Sequence, residues 1–140
     1  LTPCTVPAKG TPTFTLGEDE MEYAVGHHGE PGTAKIRMRS ADETAGMMVE
    51  EILQDLPFRQ GDEVAVIING LGATPQLELY ICYRRVKQIL EQRGIVIYRP
   101  FVGSFFTALE MAGFSVTLMK LDHELKSLLD APADTPCFKL

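Results

Sequence analysis

The chain holds 140 residues, of which 45% are hydrophobic and 23% charged, with a net charge of −6. That is enough for one globular domain with its own core. No lysine–arginine cluster offsets the acidic balance, which argues against nucleic acid or anionic membrane as a partner.

No apolar run approaches the roughly 18 residues of a membrane span, and nothing at the amino terminus reads as a signal peptide. The three cysteines, Cys4, Cys82 and Cys137, are odd in number and far apart, with no CxxC pair. They suggest neither a disulfide framework nor a zinc site, so a cytoplasmic location is expected. The chain opens at Leu1 and its first methionine is Met21, the start expected of a piece of a longer protein.

Residues 1–18 carry Pro3, Pro7 and Pro12, which fix an extended arm rather than a helix. A first strand is expected over 20–26 and a short, half-exposed one over 33–39, where apolar and basic residues alternate. Ser40 with Glu43 forms a capping box, and Ala45, Met48, Val49, Ile52 and Leu56 give one buried helical face that Pro57 stops. Val64 to Ile68 is continuously apolar, the pattern of a buried strand.

Thr74 as N-cap and Pro75 as first residue predict a second helix, running to about Arg93 with Gly94 as its stop. A strand follows at Ile95 to Tyr98 and is expected to break at Pro100. A short helix is expected from Ser104 to Ala112, a strand over Phe114 to Met119, and a last helix capped by Asp122. Strands with helices between them indicate an α/β fold with a mixed sheet of about five to six strands.

The segment Gly26-His27-His28-Gly29-Glu30-Pro31-Gly32 sets two of the three histidines among small and rigid residues at a strand end, where α/β proteins commonly place function. Three readings are open. The histidines are exposed polar residues of a tight turn; or they ligate a metal with Glu30; or one acts as a nucleophile or acid–base group. Adjacent side chains on an extended backbone point apart, which disfavours the metal. A neutral imidazole nitrogen is a competent nucleophile near pH 7, and the flanking glycines admit a small substrate to the backbone. Asn69-Gly70-Leu71-Gly72-Ala73-Thr74-Pro75 joins a strand to a helix start but lacks the lysine of a nucleotide P-loop. It is read as a structural turn near the site. Glu110 is read as a capping or pairing residue and His123 as a surface histidine.

Three motifs together carry a resemblance. The histidine segment, with Pro3 to Ala8 and Asp19 to Glu22 before it, resembles the G-x-H-G-E-P-G motif of the substrate-binding subunit of dihydroxyacetone kinases. Asn69 to Pro75 with Leu77 to Tyr80 resembles that family's second signature. Leu109 to Ser115 with Leu121-Asp122 resembles the third.

The resemblance implies that His28 attacks the carbonyl of dihydroxyacetone and holds it as a covalent hemiaminal, so that glycerol, which has no electrophilic carbon, is rejected. His27 has no such role in the motif. The resemblance also implies that residues 1–140 form a single domain, the C-terminal domain of a two-domain subunit. The first domain, with its hydroxyl-binding and acid–base residues, would then lie outside this chain, and the chain alone would be inactive. No cofactor is implied here. A partner subunit would carry ADP or ATP with magnesium, phosphoenolpyruvate-dependent through the sugar phosphotransferase system, or alternatively ATP-dependent, and a homodimer is expected. The rival readings are a dihydroxyacetone-sensing paralogue acting as co-activator of a transcriptional regulator, and a fatty-acid-binding protein of related architecture.

Overall fold

The computed structural model describes residues 1–26 and 32–140. Its architecture is the expected mixed α/β arrangement, with the five strands found among the described residues divided between two sheets. Strand β1 (Glu20–Tyr23) pairs antiparallel with β2 (Ala34–Arg37), Met21 opposite Ile36. The larger sheet has β3 (Glu63–Gly70) at its centre. Its neighbours are β4 (Val96–Gly103), parallel to it, and β5 (Phe114–Leu121), antiparallel.

Helix α1 (Ala41–Asp55) starts at the Ser40 capping box. The Glu43 amide donates to Ser40 Oγ and the Ser40 amide donates to Glu43 Oε2, at 3.2 and 3.0 Å. The Ser40 hydroxyl also donates to Glu43 Oε2, at 2.7 Å, and that bond, then the one from the Ser40 amide, holds the Glu43 carboxyl below its ordinary range. The helix ends at Leu56, just ahead of the expected stop, because a residue preceding proline disfavours the helical region.

Helix α2 (Gln76–Gln92) lies against α1, β3 and β4. The side chains of Val49, Val64, Val66, Ile68, Leu79, Val86 and Leu90 meet between these elements and are entirely buried. Each contributes roughly 1.5–3 kcal/mol of burial, so the helix pair is fixed on β3 by packing. Two ion pairs bridge the helices at their exposed edge, Arg84–Asp42 and Arg93–Glu50, and exposed pairs of this kind add at most about 1 kcal/mol each.

Gly94 ends α2 with a positive φ of 69°. β4 then passes an irregularity at Tyr98, where the register with β3 shifts by one residue, and continues through Pro100, which stands opposite Val66. The expected break does not occur, because β4 is an edge of this sheet and a proline there sacrifices no ladder hydrogen bond on its outer side. Asp122 caps helix α3 (His123–Leu129) as expected, accepting from the Leu125 amide at 2.8 Å, and His123 is exposed at its start. The far face of β4 carries a small aromatic cluster of Phe101, Phe105 and Phe138. Among the described residues no helix is long and apolar enough to cross a membrane.

Cys82 is buried within the helix pair, and burial, then the charges of Glu78 and Asp42, push its thiol up to about 11. Cys137 is exposed. A maleimide reagent at pH 7.5 is therefore expected to label Cys137 and to leave Cys82 unmodified until denaturant is added, as read by peptide mass spectrometry. Rapid labelling of Cys82 in the native protein would contradict this packing.

Candidate functional site

The three motifs, separated by up to some eighty residues in sequence, meet at the carboxyl end of β3. The buried side chain of Asn69, the last residue but one of that strand, organises the junction. Its Oδ1 accepts from the amides of Phe105 and Phe106 at 2.8 and 3.1 Å, and its Nδ2 donates to the Phe106 carbonyl at 2.9 Å. These bonds draw the backbone after β4 across the strand end. They also explain why 104–112 is not the expected helix, since its amides and carbonyls are used by partners far away in sequence.

The glycine-rich second motif lies along the third. Leu71 N–H donates to Gly113 O and Ala73 N–H to Met111 O, both at 3.1 Å, while Ala108 N–H donates to Leu71 O at 2.8 Å. Two amides of this turn, Leu71 and Ala73, are thus engaged in joining the second motif to the third. Thr74 does not cap α2 as expected; Pro75 occupies the N-cap position. The threonine hydroxyl instead donates to Gly113 O and accepts from Gly113 N–H, at 2.9 and 2.8 Å. Gly72 is tightly constrained: its φ is +133°, and a Cβ there would sit 1.9 Å from the Leu109 carbonyl oxygen. Leu109 itself has a φ of +56°.

The amino-terminal segment ties the first motif to this junction. Leu1 and Glu22 exchange two backbone hydrogen bonds, at 2.9 and 3.3 Å. Thr2 donates its amide to Ala112 O and accepts Ala112 N–H at its hydroxyl. Glu110 pairs as expected, its Oε1 accepting from Thr5 N–H at 2.6 Å. Hydrogen bonds from its own amide and from Thr5 hold its carboxyl below the usual range.

Between these segments and the helix pair lies a largely apolar cavity of about 900 Å³. Every motif contributes to its wall: Gly26 from the first, with Cys4 and Glu20 to Glu22 from the residues that lead into it, Leu71 and Thr74 from the second, Met111 to Ser115 from the third. The Tyr23 hydroxyl is buried without a hydrogen-bond partner among the described residues. Burial, then the nearby Glu51 carboxylate, pushes this phenol up to about 12, so it stays neutral at physiological pH. Glu51 acts here by proximity, since the two groups do not meet in hydrogen-bond geometry.

His28, with His27 and Glu30, lies outside the described residues. Their flanks are described. Gly26 lines the cavity. The Thr33 amide donates to Tyr23 O at 3.0 Å, closing the base of the loop, and Ala24 turns into it with a φ of +57°. Gly32 is close-packed, since a Cβ would come within 2.6 Å of both Glu22 Cγ and Tyr23 O. Glycine at this position thus serves packing at the loop base. Asn69 and Glu22 were missed as site residues by sequence reasoning; a polar residue ending an apolar run before Gly70 was the available signal for Asn69.

A family model described as the Dak1 domain matches residues 1–137. The chain belongs to the Dak1 domain family. It is 44% identical, over all 140 of its residues, to the PTS-dependent dihydroxyacetone kinase 2, dihydroxyacetone-binding subunit DhaK, of Listeria innocua, and covers 42% of that protein. It is 40% identical to the PEP-dependent dihydroxyacetone kinase, dihydroxyacetone-binding subunit DhaK, of Escherichia coli, with 95% of the chain and 44% of the relative aligned. A solved structure described as the dihydroxyacetone kinase operon co-activator Dha-DhaQ superposes with a TM-score of 0.86 at 28% identity, over 94% of this chain and 41% of that one. The chain thus spans less than half the length of each of these relatives. The Dak1 family is the one that the three motifs resemble.

Proposed function

We propose that this Dak1 chain is the dihydroxyacetone-binding part of a dihydroxyacetone kinase, in which His28 holds the substrate as a covalent hemiaminal. The observation that carries the reading is the convergence of all three motifs on one cavity bordered by Gly26, in a chain 44% identical to a dihydroxyacetone-binding subunit.

In the proposed step a neutral imidazole nitrogen of His28 attacks the carbonyl carbon of the ketone. The C=O π pair moves to oxygen, the imidazolium gives up its remaining N–H proton, and the oxygen gains one. The net change is addition of an imidazole N–H across C=O, with no redox partner needed. The bond provides selectivity: a cavity of this size does not by itself separate a ketone triol analogue from glycerol, whereas a step that needs an electrophilic carbon does. Phosphoryl transfer to a hydroxyl would then depend on positioning and charge stabilisation by a nucleotide-bearing subunit with magnesium. His28 anchors the substrate in this scheme and does not receive phosphate.

The likeness to the Dha-DhaQ co-activator supports a second reading, in which ketone capture serves sensing. The two separate on reconstitution with a nucleotide-bearing kinase subunit, phosphoenolpyruvate or ATP, and dihydroxyacetone. Formation of dihydroxyacetone phosphate is expected for the kinase. Retention of the ketone with no phosphorylated product from the intact protein that carries this chain would support the sensor.

A further inference from the structure

One wall of the cavity is built differently from the others. Met21, Leu71, Cys82 and Met111, which line it from β1, the second motif, α2 and the third motif, are all buried. The segment 1–18 supplies Cys4, Thr13 and Phe14 to the same cavity, yet none of its residues is buried. That wall is held by hydrogen bonds rather than by core packing, the condition under which a segment opens far more readily than the whole molecule unfolds.

The hydrogen bonds of residues 4–13 are mostly internal. Thr13 N–H donates to Cys4 O at 3.0 Å, Thr5 bridges Pro12, and the amides of Lys9 and Gly10 both turn back to Val6 O. These bonds survive when the hairpin moves as one piece. Thr5 N–H ties it to the body of the protein by donating to Glu110 Oε1 at 2.6 Å, and among the described residues no other hydrogen bond does so. The rim that presents Glu110 is fixed, since Met111 N–H donates to Ala108 O and Met111 O accepts from Ala73 N–H. Thr2, doubly bonded to Ala112, and Thr15, whose carbonyl accepts from Lys35 Nζ at 3.0 Å, anchor the chain on either side of the hairpin.

We propose that residues 4–13 form a lid, latched by Thr5 N–H on the Glu110 carboxylate, that swings away as a unit to admit ligands to the cavity while the core stays folded. Between two anchored flanks, a single exposed latch sets how often the wall opens.

The test uses the full protein that carries this chain and dilute hydrogen peroxide, a small neutral probe that converts an accessible methionine to its sulfoxide. Met21 and Met111 are buried in the cavity wall, while Met119, partly exposed on β5 and outside that wall, is the internal reference. Peptide mass spectrometry reads all three. Glu110→Ala removes the latch. It is expected to raise oxidation of Met21 and Met111, relative to Met119, about threefold or more, with amide exchange of Val64 to Ile68 unchanged. Glu110→Gln keeps an acceptor oxygen and is expected to stay close to wild type. Unchanged oxidation of both methionines in Glu110→Ala would overturn the proposal. So would a rise confined to Met111, the neighbour of the substituted residue, or one matched by faster exchange at Val64 to Ile68. Should that variant not fold, the wild-type protein decides. Its oxidation of Met21 and Met111 is expected to be insensitive to urea below the unfolding transition, because a swinging hairpin exposes little new surface. A rate that climbs with the slope of global unfolding would show that the wall opens only when the molecule unfolds, against the proposal.

Discussion

Replacing His28 by alanine is expected to remove the preference for dihydroxyacetone over glycerol. Affinity for the ketone should fall by about a hundredfold or more, which is about 2.8 kcal/mol at 1.4 kcal/mol per tenfold, while glycerol binding stays as it was. Calorimetric titration of both ligands into both proteins measures this. The argument is chemical: the two ligands are alike in size and hydroxyl content, and only one has a carbon that a nitrogen nucleophile can attack. A variant that still prefers the ketone by the wild-type factor would show that the cavity, and not a covalent bond, provides the selectivity.

Gly72→Ala is expected to be strongly destabilising. Two costs combine there. The left-handed side of the backbone map costs an L-residue roughly 1–2 kcal/mol, and the new methyl would lie 1.9 Å from the Leu109 carbonyl oxygen, backbone that is itself hydrogen-bonded to neighbours. A loss of about 3–5 kcal/mol is expected, seen as a fall of roughly 10–20 °C in the unfolding midpoint. Gly10 gives the comparison: its φ is +64°, but nothing lies within 4 Å of its Cβ position. Gly10→Ala should show only the conformational part. Equal midpoints for the two variants would mean that the junction between the second and third motifs yields easily, against the geometry described.

The elements that were legible in the sequence are those whose cause is local. Ser40 and Glu43 are three residues apart and cap α1 as read. The apolar run at Val64 to Ile68 became the central strand, and the spacing of Leu79, Cys82, Val86, Ile89 and Leu90 gave the buried face of α2. What was misread depends on distant partners. Thr74 has the chemistry of an N-cap, but Gly113, 39 residues on, occupies its hydroxyl. Residues 104–112 have helical start and stop signals, but Asn69 takes the amides of Phe105 and Phe106. Pro100 breaks a strand only where a partner needs its N–H, and which strand lies at an edge is a property of the sheet. The site was legible as three motifs, not as a place: nothing in their spacing says that Leu1, Thr2 and Thr5 are the link between the first and the third.

That link has a consequence for the order of folding. The larger sheet and the helix pair join segments some thirty to sixty residues apart, whereas the wall carrying the first motif is fastened by Thr2 to Ala112 and Thr5 to Glu110, contacts spanning 110 and 105 residues. Closing so long a loop is slow because its entropy is lost before any contact compensates. During synthesis the segment from Thr2 to Thr5 must wait for Ala112 to emerge before it can dock, so this cavity is completed after the core that supports it.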